Sequence, residues 1–289
     1  MSASARVEQA LAAVVARAEA RDCPPRLAAA VRHAVFPGGA RIRPRLCLAV
    51  AGACGDGQPD VTDAAAAAIE LLHCASLVHD DLPCFDDAAT RRGRPSVHCA
   101  FGEPLAVLAG DALIVLAFET LADGAAGSPG RLVALLRTVA GGVGMSGGIT
   151  AGQAWECEPE IDLGTYQRAK TGALFAAATM AGAAAAGADR TPWRILGERL
   201  GEAFQVADDL HDVTSRAEEV GKPVGRDAIL GRPSVALQFG AAAAMDRLGR
   251  LVGEAVDSIP ACPGASELRL AIRTEVERFL PRHLARRAA

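Results

Sequence analysis

Three observations predict an all-α fold. Alanine is abundant along the whole 289-residue chain, β-branched runs are short, and no segment alternates strictly between hairpin turns. Segments of helical length are instead separated by turn-forming clusters such as Pro37-Gly38-Gly39, Gly55-Asp56-Gly57, Gly127-Ser128-Pro129-Gly130 and Pro260-Ala261-Cys262-Pro263-Gly264. No linker-like stretch or solenoid repeat divides the chain, so residues 1–289 read as one domain.

The elements follow in order. Val7–Arg21 is amphipathic: Arg6, Glu8, Arg17, Glu19 and Arg21 break up the alanines, unlike the apolar region of a secretory signal. Pro25–Val35 and Pro44–Ala53 open on prolines, which the first helical turn accepts. Val61–Asp81 is strongly apolar and must kink or end near Pro83, which cannot donate to the preceding turn. Gly- and Pro-bounded segments continue with Pro104–Ala122, Arg131–Gly141, Leu163–Ala186, Trp193–Asp212, Pro233–Ser258 and Ser266–Arg286. The uncharged stretch Thr171–Ala188 has borderline length for a membrane span but is mostly Ala, Gly and Thr. No segment is therefore expected to cross a bilayer, and the expectation is a soluble, cytoplasmic protein.

Composition narrows the function classes. With 51% apolar residues and a net charge of −4, the chain can bury a large core and is not disordered. The slightly acidic balance and 4% aromatic content argue against nucleic-acid binding. Cysteines 23, 47, 54, 74, 84, 99, 157 and 262 form no CxxC pair and have no metal-ligand spacing. They are expected to be reduced, buried thiols.

Two acidic segments do not fit an ordinary bundle. Gln205, Asp208, Asp209 and Asp212 lie at i, i+3, i+4 and i+7 on one helical face, where like charges repel. A solvated outer face is one reading. The flanking Phe204, Val206, Ala207, Leu210 and Val213 favour a site instead. The second segment places Asp80, Asp81, Asp86 and Asp87 at the end of the apolar helix before and after Pro83, where a kink swings Asp86 back toward Asp80. Carboxylate oxygens without thiolate or spaced histidine ligands favour a hard cation, Mg²⁺ above Zn²⁺.

Cations beside glycine turns point to phosphate. They include Gly38-Gly39-Ala40-Arg41-Ile42-Arg43-Pro44, Thr90-Arg91-Arg92-Gly93-Arg94-Pro95, Lys170-Thr171-Gly172, and Gly221-Lys222-Pro223 with Arg226 and Arg232. Each alone is ordinary loop chemistry; together they suit a diphosphate. None forms a Walker loop or a dinucleotide-binding glycine turn.

These segments, in this order, resemble the trans-polyprenyl diphosphate synthase family over nearly the whole chain. Asp80-Asp81-x4-Asp86 is similar to the family's first aspartate-rich motif and Asp208-Asp209-x2-Asp212 to the second, with Phe204-Gln205 before it. Arg91-Arg92-Gly93, Phe101-Gly102-Glu103, the run from Leu108 to Ala112, Gly152-Gln153 and Lys170-Thr171-Gly172 match further blocks. Within the family the chain is most similar to geranylgeranyl diphosphate synthases of bacterial carotenoid pathways.

The resemblance implies a single-domain isoprenoid-synthase-type bundle around a central active-site cavity, assembled as a homodimer. It implies condensation of isopentenyl diphosphate with an allylic diphosphate, farnesyl diphosphate in particular, with release of diphosphate. It implies Mg²⁺ on Asp80, Asp86 and Asp208. Arg91, Lys170, Lys222 and Arg232 would hold the allylic diphosphate, with Thr171 and Gln205 assisting. Arg43, His73 and Arg92 would hold isopentenyl diphosphate. The leaving diphosphate would take the proton, and His79 and His211 would be neighbours of the metal cluster. At the position matching Ala75, related farnesyl diphosphate synthases commonly carry a bulky aromatic, so the methyl group here implies the longer geranylgeranyl product.

Two departures stand out. Ala40 replaces the lysine of the family's Gly-Gly-Lys-Arg-x-Arg-Pro segment, a loss that Arg41 or Arg45 is expected to offset in part. Gly225-Arg226-Asp227 replaces Gly-Lys-Asp and keeps its charge. A farnesyl diphosphate synthase and a non-catalytic regulatory subunit of the same fold are the alternatives, the second disfavoured because both acidic motifs are intact. A terpene cyclase is disfavoured because its second motif, Asn/Asp-x2-Ser/Thr-x3-Glu, is not what Asp208-Asp209-x2-Asp212 spells.

Overall fold

The chain enters through α1 (Ala3–Glu19), where the Ser2 hydroxyl caps the helix by accepting from the Ala5 N–H at 3.2 Å. α2 (Pro25–Val35), α3 (Ile42–Ala53) and α4 (Pro59–Asp80) follow. A two-residue hairpin, β1 (Thr90–Arg91) and β2 (Arg94–Pro95), pairs Arg91 with Arg94. Then come α5 (Val97–Phe101), α6 (Glu103–Gly124), α7 (Pro129–Val143) and α8 (Ile149–Ala154), with one 3₁₀ turn at Trp155–Cys157. α9 (Leu163–Gln167) passes through a π-helical turn, Arg168–Gly172, into α10 (Ala173–Ala186). α11 (Arg194–Thr214), α12 (Val235–Asp257, broken at Gly240 where φ is +82°) and α13 (Ala265–Glu277) complete this computed structural model. It describes residues 1–20, 22–36, 38–160, 162–214 and 235–277.

The apolar pattern sorts these helices around two cores. In one, Ile69, Leu71 and Leu72 of α4 pack among Leu11 and Val15 of α1, Leu113 and Leu121 of α6, and Leu135 of α7. In the other, Leu196, Leu200, Val206 and Leu210 of α11 pack with Leu46 and Val50 of α3, Leu248 of α12 and Ile272 of α13. α10 supplies Leu174, Ala177 and Ala181 to the first core and Phe175 and Ala183 to the second. Being apolar on every face, it belongs in the interior. This arrangement brings the end of α4 and the middle of α11 onto the same segment, the π turn before α10.

Several expectations need correction. Leu163–Ala186 is not one helix: the π turn interrupts it, and a short π insertion leaves no trace in hydrophobic periodicity. α3 begins at Ile42, with Pro44 inside the first turn where no N–H partner is lost. The hairpin, α5 and α8 are too short to show a period, and residues 278–286 of the last expected helix lie outside the described residues. Of the eight cysteines only Cys47 and Cys74 are buried, with thiols pushed up to about 12 chiefly by burial; Cys84, Cys99 and Cys157 are exposed. Among the described residues two helices do meet the length and composition of a membrane span: α4, 78% of whose most apolar stretch is inside the fold, and α6, 39%. The first is a core helix.

Candidate active site

The first acidic segment folds back as the proline required. α4 ends at Asp80, and the Asp86 N–H then donates to the Asp80 carbonyl at 3.0 Å, setting the two residues side by side. The next carboxyl, Asp81, is buried and accepts from Arg91 Nε at 3.0 Å. Burial raises the Asp81 pKa, opposed by its hydrogen bond to Arg91. Arg91 also lies 3.8 Å from Asp80 Oδ2. The hairpin presents Arg91 because Arg92 and Gly93 both have positive φ, as a type I′ turn requires. Arg92 then donates to the Gly38 carbonyl, its guanidinium lying flat where a Gly39 side chain would be.

The π turn links the two acidic segments. Lys170 Nζ donates to Asp80 Oδ1 at 3.3 Å. On the other side of the turn, Thr171 Oγ1 donates to Gln205 Oε1 at 3.1 Å, and Gln205 Nε2 donates to Asp209 Oδ1 at 3.0 Å. Asp209 is buried, whereas Asp208 keeps partial exposure on α11. Gly152 on α8 underlies this turn: a Cβ there would lie 2.3 Å from the Lys170 backbone nitrogen. The family block at Gly152-Gln153 thus has a steric reason. Side chains of His211 and Asp212, and the whole of Lys222, Arg226 and Arg232, lie outside the described residues.

A second cationic cluster surrounds the start of α3. Arg43 stacks on Phe175, its guanidinium carbon 4.5 Å from the ring centre, and approaches His73 Nε2 at 3.4 Å. Its buried Nε has no hydrogen-bond partner, an orphaned donor that suits an anion. Burial lowers the Arg43 pKa to about 10, with Arg92 acting in the same direction against Glu70. His73 is held well below its ordinary range by burial and then by Arg43 and Arg92, and is neutral at neutral pH. Arg43, His73 and Arg92 are therefore brought together, as the sequence resemblance implied.

Of the two expected substitutes for the missing lysine, Arg41 is engaged elsewhere and Arg45 stays beside Ala40. Arg41, with φ +49°, is buried and donates to Glu70 at 2.6 Å, to Glu8 at 2.8 Å and to the Val35 carbonyl at 2.7 Å. Arg45 is paired with Glu275. Arg41 therefore pins the loop to α4, whereas Arg45, besides its pairing with Glu275, donates to the carbonyl of the exposed Ala40 at 3.5 Å. His79 also departs from expectation. It faces α6, 3.4 Å from the Val107 carbonyl, over Gly110 and beside Asp111 at 3.8 Å.

Sequence reasoning passed over Glu70 and Glu156, and it named Asp81 and Asp209 in the acidic segments without giving either a role. Glu70 carried a signal, as a lone acid in the apolar run between Asp63 and Asp80. Glu156, in a loop with Glu158 and Glu160, carried none.

Residues 24–261 match the model of the family described as polyprenyl synthetase. The chain is 54% identical over 287 residues to a geranylgeranyl diphosphate synthase of Cereibacter sphaeroides, covering 99% of this chain and 100% of that protein. It is 53% identical over 268 residues, 93% of each chain, to one from Rhodobacter capsulatus. Among solved structures, a Helicobacter pylori geranyltransferase complexed with magnesium and isoprenyl diphosphate superposes with TM-score 0.79 at 29% identity, covering 96% of both chains. A Zymomonas mobilis FPP/GFPP synthase gives 0.77 at 32% identity over 95% of this chain and 98% of that one. With its two acidic segments joined through one lysine-bearing turn and its full length matched, the chain belongs to the polyprenyl synthetase family.

Proposed function

We propose that this chain is a Mg²⁺-dependent trans-prenyltransferase that condenses isopentenyl diphosphate with farnesyl diphosphate, giving geranylgeranyl diphosphate and releasing diphosphate. Near-full-length identity to a geranylgeranyl diphosphate synthase carries the reading. The buried methyl of Ala75, one turn before Asp80 on α4, supports the longer product. A farnesyl diphosphate synthase is the second reading, since a structural neighbour is an FPP/GFPP synthase. The protein works, in this proposal, as a cytoplasmic homodimer serving carotenoid synthesis.

Asp80, Asp86 and Asp208 would hold the cation. The donor set suits Mg²⁺ because its carboxylate oxygens are hard. An ion that keeps water and substrate phosphate in its shell needs no closed protein cage. When bound, Mg²⁺ neutralises charge as diphosphate leaves. Lys170 and Arg91, already at the Asp80 carboxylate, bind that leaving group from the protein side. Arg43 offers its unpartnered Nε to the isopentenyl diphosphate, with Arg92 and neutral His73 beside it. Neutral His73 adds no charge there and takes no proton in this scheme.

The test is diphosphate release by the purified chain with Mg²⁺ and both substrates, followed by chromatography of the dephosphorylated products. Asp80→Ala and Asp208→Ala should each lower kcat by about two to three orders of magnitude, because each removes charge placed against the leaving group. Their circular dichroism should stay native. Wild-type turnover in Asp208→Ala would remove the metal assignment, and a farnesyl product would select the second reading.

A further inference from the structure

Lys170 reaches the first acidic segment from the turn that also meets the second, yet its shortest contact is with neither. Its Nζ donates at 2.5 Å to Glu156 Oε1, in the 3₁₀ turn after α8. The same oxygen accepts from the Tyr166 hydroxyl at 2.6 Å, and Oε2 accepts from Gln153 Nε2 at 3.0 Å. One carboxylate thus receives donors from α8, from α9 and from the π turn. The Tyr166 ring centre lies 5.8 Å from the ammonium. This is not a pair of swinging surface side chains: Glu156 and Lys170 expose only 21% and 22% of their side chains, and both Glu156 oxygens are anchored.

Lys170 lies between Glu156 and Asp80, with its nitrogen nearer to Glu156. Without Glu156, Asp80 is the remaining carboxylate paired with the ammonium among the described residues, and the two would close on each other. We infer that Glu156 is a positioning residue: it holds the Lys170 ammonium beside Asp80 and not upon it, so that the cation stands ready for the allylic diphosphate. Gln153 and Tyr166 hold Glu156 in turn. This inference rests on the prenyltransferase reading and deepens it, because it assigns the Gln153–Glu156–Tyr166 cluster to the allylic half of the site alone. Among the described residues, the hydrogen bonds of Glu156 run to Gln153, Tyr166 and Lys170, and those of Arg43 run to His73.

Steady-state kinetics with Mg²⁺ and both substrates tests it. Glu156→Gln keeps the size and removes the charge, and should raise the KM for farnesyl diphosphate about tenfold while that for isopentenyl diphosphate stays within about twofold. Tyr166→Phe should move the farnesyl diphosphate KM in the same direction by less. In a Lys170→Ala background, adding Glu156→Gln should change that KM no further, because the two residues act as one unit. Unchanged KM values in Glu156→Gln overturn the inference. So does an equal rise for both substrates together with a lower Tm, which marks a merely structural residue, or an undiminished effect without Lys170. If the wild-type chain itself releases no diphosphate, the enzymatic reading fails and the inference with it. An active wild type with an indifferent Glu156→Gln sinks the inference alone.

Discussion

Single residues set the charge of the side proposed to hold isopentenyl diphosphate. Ala40 leaves that side one ammonium short: Arg41 is locked between Glu8 and Glu70, and Arg45, although it reaches the Ala40 carbonyl, has its charge paired with Glu275. Ala40→Lys should therefore lower the KM for isopentenyl diphosphate about tenfold, the worth of one well-placed charge-assisted contact. An unchanged KM would mean that the substrate does not reach this loop. His73 gives a stability prediction with a definite sign. Burial, then Arg43, Arg92, Arg91 and Arg41, depress its native pKa well below 6.5. The unfolded chain, with an ordinary histidine, then binds a proton that the native state does not. The His73 contribution is fully present above about pH 6.5 and is lost as pH falls toward the native pKa. Melting curves between pH 5 and 7.5 should show a shallower acid loss in His73→Gln than in the wild type.

At the scale of elements, the π turn at Arg168–Gly172 decides the geometry. It aims Lys170 at α4 and Thr171 at α11 in consecutive residues. α8 lies against it because Gly152 has no side chain. Gly152→Ala should push the turn away, costing about 1–3 kcal/mol of stability by overpacking. It should cut kcat/KM for the allylic substrate more than for isopentenyl diphosphate. Equal effects on both substrates would mean that the displacement spreads through the bundle. The positions of α2, α4 and α6 were legible to within a few residues, because each is long and bounded by proline or glycine. Neither the π turn nor α8 was legible. Five or six residues are too few to show a period, and a π insertion displaces side chains without changing their polarity.

At the scale of the molecule, α6 is unfinished as a surface. The most apolar stretch of the helix has a mean hydropathy of 2.0, yet Val107, Leu108 and Val115 are more than two-fifths exposed. Exposed apolar faces of this kind mark association sites. A second copy of the chain, paired face to face, suits the proposed homodimer. The double variant Leu108→Glu and Val115→Glu should sediment as a monomer where the wild type sediments as a dimer. A dimer that survives both charges would place the interface elsewhere.

The sequence alone determined the helical class, the two acidic segments and the identity of the cations, because periodicity, residue type and spacing are local properties. The return of Asp86 to Asp80 was also local, since Pro83 dictates it. Which cations are available was not. Arg41, Arg43 and Arg45 alternate within five residues, and nothing local distinguishes the loop anchor Arg41 from Arg43, which stacks on Phe175 with a free donor. Only the packing of α1, α4, α10 and α13 around α3 separates them, by deciding which guanidinium meets a carboxylate and which is left for a ligand. The same holds for Glu156, one of several acids in a surface-like loop until α9 and the π turn close over it. Charge is written in the chain; the partner of each charge is chosen by the fold.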